Sequence, residues 1–571
     1  MGLRECRRES DSCNFLRTQD HTSTLSRTAS KCNTCSSSCG SRRKKQLQQM
    51  AGISSRRRLQ VPTRCLLLLV VVIGVLMGGT VAETGKRIPG IHFGDSHKLK
   101  RVCPPTKEIS PCVCTVISNG LDIVCDFTDV DHIRSSLNVL KKSSSTIYWM
   151  RFRSCHLPRI PDFTFMGLAI KHLNIIRSNV SAIESSSFSA LGNSLESLDL
   201  STNLLTEVPH SALKQQVALT FLNLNVNRIQ SLKSHDFDGM IMLQRLTLYE
   251  NKIKHIHRDA FKGIIRLTRL NLGKNLLTDI PTDSFHPLLN LEVLDIHENL
   301  IKHVPNAAFE GLHKLDMLKL EHNHIEVIQA NVFKDLTLLN SLNIEHNWIT
   351  NISEKAFAGL EENLGWLELG NNKLDHIPSH ALRPLHSLRQ LDLDSNLIRE
   401  MQEDAFNGYG DTLKYILLDK NHIKVIPPLA LADLQSLEWL KIAHNELREL
   451  PEDTIQPILD TLKVIDITNN PLECSCDILW LRHWLLNPNR DNTDGMPEHI
   501  CVTKDDKAHV IKALPENAFN CPHPRISGGP STLKASGVPA LRASTATIAA
   551  MALVTSLLVT TSPFRSTYRA I

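Results

Sequence analysis

Eight of the 15 cysteines fall in two clusters, and thiols grouped in this way either close disulfides or bind metal. Cys103, Cys112, Cys114 and Cys125 are spaced C-x8-C-x-C-x10-C, and Cys474, Cys476, Cys501 and Cys521 are spaced C-x-C-x24-C-x19-C. Two zinc sites or two disulfide pairs fit these counts, and spacing alone leaves three connectivities open in each cluster. A further run, "CNTCSSSC", lies in Ser/Thr-rich sequence without a second ligand pair and reads as low complexity. His297/Glu298, Glu321/His322 and Glu345/His346 offer imidazole and carboxylate at matching spacing. A metal or pH-sensing cluster is conceivable there, but the expectation is a solvated strand edge and no metal. Asn179 in "NVS" and Asn351 in "NIS" are glycosylation acceptors. No GxSxG, HExxH or phosphate-binding Gly-rich loop occurs, so neither an enzyme nor a cofactor is expected.

The elements that must position these groups repeat. An Asn closing "LxxLxLxxN" recurs at Asn203, Asn227, Asn251, Asn275, Asn299, Asn323, Asn347, Asn372, Asn396, Asn421, Asn445 and Asn470, in steps of 24 or 25 residues. Two earlier units keep the frame with Cys155 and Ser178 in the Asn slot, which gives about 14 repeats over 147–473. In "LEVLDIHEN", Leu294 and Ile296 share one face of a short strand, and Val293, Asp295 and His297 take the other. One such strand cannot bury its apolar face alone; stacking the units in parallel makes a continuous core. Ten residues beyond the slot stands Phe in nine units, a spine that reads as core and not as a ligand groove. Cys155, in a buried slot, reads as an unpaired core thiol.

What the repeat leaves free are the outward strand positions, six, four and two residues before each slot. The first unit presents Trp149, Arg151 and Arg153, followed by Phe221, Arg245 and Tyr249. Later units present Trp366, Glu368, Asp392, Asp394, Tyr415 and Trp439, so the face shifts from basic to acidic along the array. Thirteen steps of about 4.8 Å give a face of roughly 60 Å, long enough for a protein partner. Aromatics flanked by charge are the anchors that such interfaces use.

This pattern resembles the extracellular leucine-rich repeat family with cysteine-rich caps, over residues 103–521. "NPLECSCDILWLRHWLLNP", with Trp480 and Trp484, is similar to the start of the family's C-terminal cap. The resemblance implies an α/β solenoid, a curved horseshoe with a parallel concave sheet, a convex Phe spine and disulfide caps. It also implies first-to-third and second-to-fourth bonding in each cap, at 103–146 and 474–521. The chain is similar to membrane-anchored adhesion and receptor glycoproteins, connectin-like proteins among them. The implied function is binding of an extracellular protein ligand, a different protein or a second copy of the chain. The opposed charge at the two ends of the face raises antiparallel self-association. A secreted, non-catalytic accessory subunit is the alternative.

The ends of the chain set its location. Residues 65–77, "CLLLLVVVIGVLM", are short for a spanning helix and suit the core of a secretory signal. Translation from Met50 gives a signal peptide over 50–82; translation from Met1 makes the same segment a signal-anchor behind a polar basic leader, 1–49. After linkers at 83–102 and 522–542, the uncharged stretch 543–561 suits a transmembrane helix or a GPI signal, followed by a polar tail, 562–571. The overall charge of +5 hides a body, 83–521, with 45 basic and 55 acidic residues. Such a body does not track phosphates, and nucleic acid is not an expected partner.

Overall fold

The computed structural model describes residues 102–143, 145–487 and 496–521. The expected leader, signal segment and apolar tail lie outside the described residues. Among those described, no helix is long and apolar enough to cross a membrane.

The sheet begins with a hairpin of β1 (Val113–Ile117) and β2 (Gly120–Asp126), paired antiparallel. β2 then runs parallel to β3 (Ile147–Arg153), the first of fourteen parallel repeat strands that end at Val464–Asp466. Register follows the repeat, with Leu270, Leu294, Leu318 and Leu342 aligned on four adjacent strands. All four are at most 1% exposed. The convex side is built from turns and single helical turns such as Thr282–Phe285, with short two-stranded pieces such as Val327–Ile328 paired to Asn351–Ile352.

Each Asn slot ties two repeats together. Asn299 Nδ2 donates to the carbonyls of Ile296 and His297 in its own turn (3.0 Å each) and to Leu272 of the preceding repeat (3.1 Å). Its Oδ1 accepts from the Leu277 amide at 3.1 Å. Backbone groups opened by the bend are thus satisfied, which is what burying them demands. The residue just before the slot takes a left-handed φ in all fourteen repeats, from Ser154 to Asn469, and Val226 does so although its branched Cβ disfavours it. The Phe column is fully buried, with neighbouring rings stacked at 5.8–6.4 Å, as for Phe237, Phe261 and Phe285.

Both ends of the array are closed by disulfides in the implied order: Cys103–Cys114, Cys112–Cys125, Cys474–Cys501 and Cys476–Cys521. At the front, α1 (Val130–Lys142) is capped by the Asp129 carboxylate, which accepts from the Asp131 and His132 amides, and buries Ile133, Leu137 and Leu140. At the back, α2 (Leu479–Leu486) buries Trp480, whose Nε1 donates to the Leu450 carbonyl at 2.7 Å. Cys155 is the free, buried thiol its slot implied; burial pushes its pKa up, and Sγ donates to the Cys125 carbonyl at 3.3 Å.

Candidate functional site

The outward strand positions form one face, and its two ends differ. At the N-terminal end, Arg153 grips Asp126 with two nitrogens, at 2.8 and 2.7 Å, and Arg151 reaches Asp122 at 3.0 Å. Trp149 stacks on His172 with ring centroids 4.2 Å apart, and the Arg151 guanidinium lies 4.8 Å from the Trp149 centroid. The free basic end expected from the repeat frame is therefore engaged within the chain. The reason is β2, which extends the sheet beside β3 and sets Asp126 opposite Arg153. "GLDIVCD" carries the signal, two acids at alternating strand positions just before the first repeat. With Arg151 and Arg153 engaged, the basic charge left open on this half of the face is that of Arg245 and Arg269, and the electrostatic case for antiparallel self-association weakens.

Along the middle, Arg245 lies over Phe221 at 4.8 Å, and Tyr249 stacks on His297 at 5.6 Å. His297 leans over Gly273, where a Cβ would stand 2.5 Å from its ring. Its Nδ1 is hydrogen-bonded to the Asp295 carboxylate, which raises the imidazole pKa.

Toward the C-terminal end, carboxylates crowd together, and among the described residues Glu345, Glu368, Asp392, Asp394 and Asp419 form no ion pair with Lys or Arg. Oxygens of Glu345, Asp392 and Asp394 all lie within 4.8 Å of one another, the one group of three ligand-type side chains among the described residues. They converge over Gly370, where a Cβ would meet Asp394 Oδ1 at 2.2 Å and Glu345 Oε1 at 3.2 Å. Burial, reinforced by like charge, pushes Glu345 and Asp392 each up to about 7. Burial also raises Glu321, Glu368 and Asp419, and Glu321 Oε2 is buried with no hydrogen-bond partner. Asp392, expected to point outward, is only 9% exposed under these neighbours. Trp366, Tyr415 and Trp439 share this stretch on aligned strands, and Trp439 is 40% exposed. Arg389 and Lys441 lie over the Trp366 and Trp439 rings, at 6.0 and 5.8 Å, and Lys441 also draws on the Asp419 charge without forming an ion pair.

The proposed His/Glu stack divides. Glu321 and Glu345 turn onto the sheet, whereas the left-handed residues after them, His322 and His346, are exposed with rings stacked at 4.0 Å. Beside them, Trp348 is 41% exposed, with His324 at 4.4 Å and Lys373 at 5.0 Å. The sequence reading missed Trp348; its signal is the position right after an Asn slot, where the chain turns outward. Asn179 and Asn351 are both exposed, one and four residues past their slots. A cleft of about 260 Å³ between α1 and the first repeats, lined by Ile133, Leu137 and Phe163, is mostly apolar.

Comparison with known proteins agrees with the repeat fold. The family "Leucine rich repeat" matches residues 217–273, 265–325 and 411–472, and "BspA type Leucine rich repeat region (6 copies)" matches 302–438. The mouse leucine-rich repeats and immunoglobulin-like domains protein 2 is 31% identical over 112 residues. That match spans 20% of this chain and only 10% of the mouse protein. Among solved structures, a Leptospira interrogans leucine-rich-repeat protein superposes with a TM-score of 0.53 at 22% identity, covering 66% of this chain and 90% of that one. The Toll–Spatzle complex from Drosophila gives 0.53 at 22% (64% and 51%), and the TLR13–ssRNA13 complex 0.51 at 23% (64% and 60%). These likenesses show the fold. The fold is a leucine-rich-repeat solenoid with disulfide-bonded regions at both ends of its array, and residues 217–472 carry the family matches. The matched families are repeat scaffolds, and no enzyme family is indicated.

Proposed function

We propose that the chain is a non-catalytic cell-surface glycoprotein that binds a protein ligand through its concave face, in adhesion or as a receptor or co-receptor. The observation that carries this is the exposure of Trp439 beside Trp366 and Tyr415 in a field of unpaired carboxylates. Aromatic anchors bordered by charge are what protein interfaces use. Four disulfides support an oxidising, extracellular setting, in keeping with a signal or signal-anchor at 50–82. Attachment through 543–561 follows from composition. One structural neighbour holds RNA and another Spatzle; the carboxylates on this face repel phosphate, which favours a protein. Glycans on Asn179 and Asn351 would cover the flank beyond the Asn slots and leave the sheet open.

The test is capture of binding partners by cells displaying the full-length chain, with Trp366→Ala/Trp439→Ala as the comparison. The double variant should reach the surface normally and lose binding. Equal binding by both chains would sink the reading. Release by phospholipase would identify a GPI anchor, and recovery of the chain in the medium alone would favour a secreted accessory subunit.

A further inference from the structure

The concave-face reading leaves the ligand's chemistry open, and the sheet narrows it. Over the strands from Ser341–Asn343 to Trp439–Lys441, outward carboxylates outnumber cations, and among the described residues none of Glu345, Glu368, Asp392, Asp394 and Asp419 forms an ion pair with Lys or Arg. This differs from the rest of the surface, where Lys414 and Lys463 both hold Glu438, and Arg383 holds Asp404. Because Gly370 has no side chain, Glu345 from one side and Asp392 and Asp394 from the other lean over it until their oxygens lie within 4.8 Å of one another.

We propose that this stretch seats a lysine- or arginine-rich segment of the protein ligand, with a cationic head bridging the carboxylates that converge over Gly370. The proposal rests on the concave-face reading. Charge complementarity selects the occupant: an ammonium or guanidinium donates to carboxylate oxygens that now face one another. Trp366, Tyr415 and Trp439 interleave with the acids, so the alkyl stems of long cationic side chains also find apolar surface. The acids continue along the sheet through Glu321, Glu368 and Asp419, farther than one bound ion reaches, which favours an extended segment over a lone divalent cation.

Protons are linked to this binding. Around these carboxylates stand Glu321 and Glu368 with Lys319 beside them, Asp419 with Lys441, and His346 near Asp394, so the fixed cations act on the flanking acids. Near neutral pH, Glu345 and Asp392 are therefore partly protonated, and an arriving cation displaces those protons. Binding should release protons and strengthen as pH rises from 6 to 8.

A nine-residue arginine peptide is a suitable probe, titrated by fluorescence anisotropy onto the full-length chain at physiological salt, with a nine-residue glutamate peptide as control. We expect the arginine peptide alone to bind, with affinity rising from pH 6 to pH 8. Glu345→Gln/Asp392→Asn/Asp394→Asn should weaken it about tenfold and flatten its pH dependence. Asp283→Asn/Glu310→Gln, on the convex side, should leave it unchanged. Gly370→Lys supplies an internal cation and should block the peptide as well, so the outcome does not hang on one variant's folding. Unchanged peptide binding in both the triple variant and Gly370→Lys overturns the proposal. So does a calcium-induced rise in melting temperature that the triple variant loses while peptide binding stays the same. Against a captured cell-surface ligand, loss with Trp366→Ala/Trp439→Ala but not with the triple variant keeps the concave-face reading and discards this proposal. Loss with neither discards both.

Discussion

The two ends of the concave sheet place aromatic and charged residues at the same repeat positions, basic at one end and acidic toward the other, and reach opposite states. At the N-terminal end, Trp149 is stacked on His172, and Arg151 and Arg153 are held by Asp122 and Asp126 of the cap hairpin. Toward the C-terminal end, Trp439 stands 40% exposed, and Glu345 and Asp392 crowd other carboxylates. The difference comes from the neighbouring strand. A cap that continues the sheet can supply counter-charges, whereas repeats that all carry acids can only repel one another. Charge left uncompensated within the chain marks where a partner is to be sought.

The largest expected effect falls on both ends together. Phe309→Ala removes a ring that is 1% exposed and stacked on Phe333, and should cost about 3–5 kcal/mol by denaturant unfolding and reduce secretion. Loss at one end only would show that the array is not one cooperative scaffold. Next, Arg151→Glu/Arg153→Glu turns two ion pairs into repulsions. Because Arg153 is half exposed and Arg151 less so, the expected loss is about 1–3 kcal/mol, with ligand binding and cell–cell aggregation unchanged. Reduced aggregation would mean that this end meets a partner after all and would restore self-association.

A smaller effect concerns pH. Glu345 and Asp392 titrate near 7 in the fold and at ordinary carboxylate values when unfolded. Between those values the folded chain binds more protons, so these groups cost stability as pH rises, fully so above pH 7. The melting temperature should fall from pH 5 to pH 8, and Glu345→Gln/Asp392→Asn should flatten that slope, gaining on the order of a few degrees at pH 8. An unchanged slope would show that the acids are compensated and that the two ends do not differ. At the C-terminal cap, His499 acts with the opposite sign: at 2% exposure, burial lowers its pKa, against the nearby Asp466 charge and the Ile465 backbone. The stability it contributes is present above its unfolded value and fades as pH falls below about 6.5. His499→Phe should remove part of any acid-side loss in melting temperature.

What was legible in the sequence is what the repeat imposes on residue type. The Asn ladder and the Phe column each need a fixed kind of side chain at a fixed spacing, and the outward positions are located by that frame, so all could be read directly. The disulfide order needed the family resemblance, because spacing leaves it open. Three features were not legible. The left-handed residue before each slot is forced by closure of the turn and accepts Val226, Glu298 and Lys274 alike, so no residue type announces it. The pairing of Arg153 with Asp126 required knowing that the cap hairpin continues the sheet. The convergence over Gly370 depends on how side chains from the two flanking repeats lean into the space that its missing side chain leaves, which no one-dimensional frame contains.

The most direct measurement compares two matched double variants for binding to the captured cell-surface ligand. Trp366→Ala/Trp439→Ala removes aromatics from the uncompensated end, and Trp149→Ala/Phe221→Ala removes them from the compensated one. The first should weaken binding by about thirtyfold or more, as loss of interface anchors does, and the second by less than about threefold. Equal losses, or a larger loss at the N-terminal end, would contradict the account.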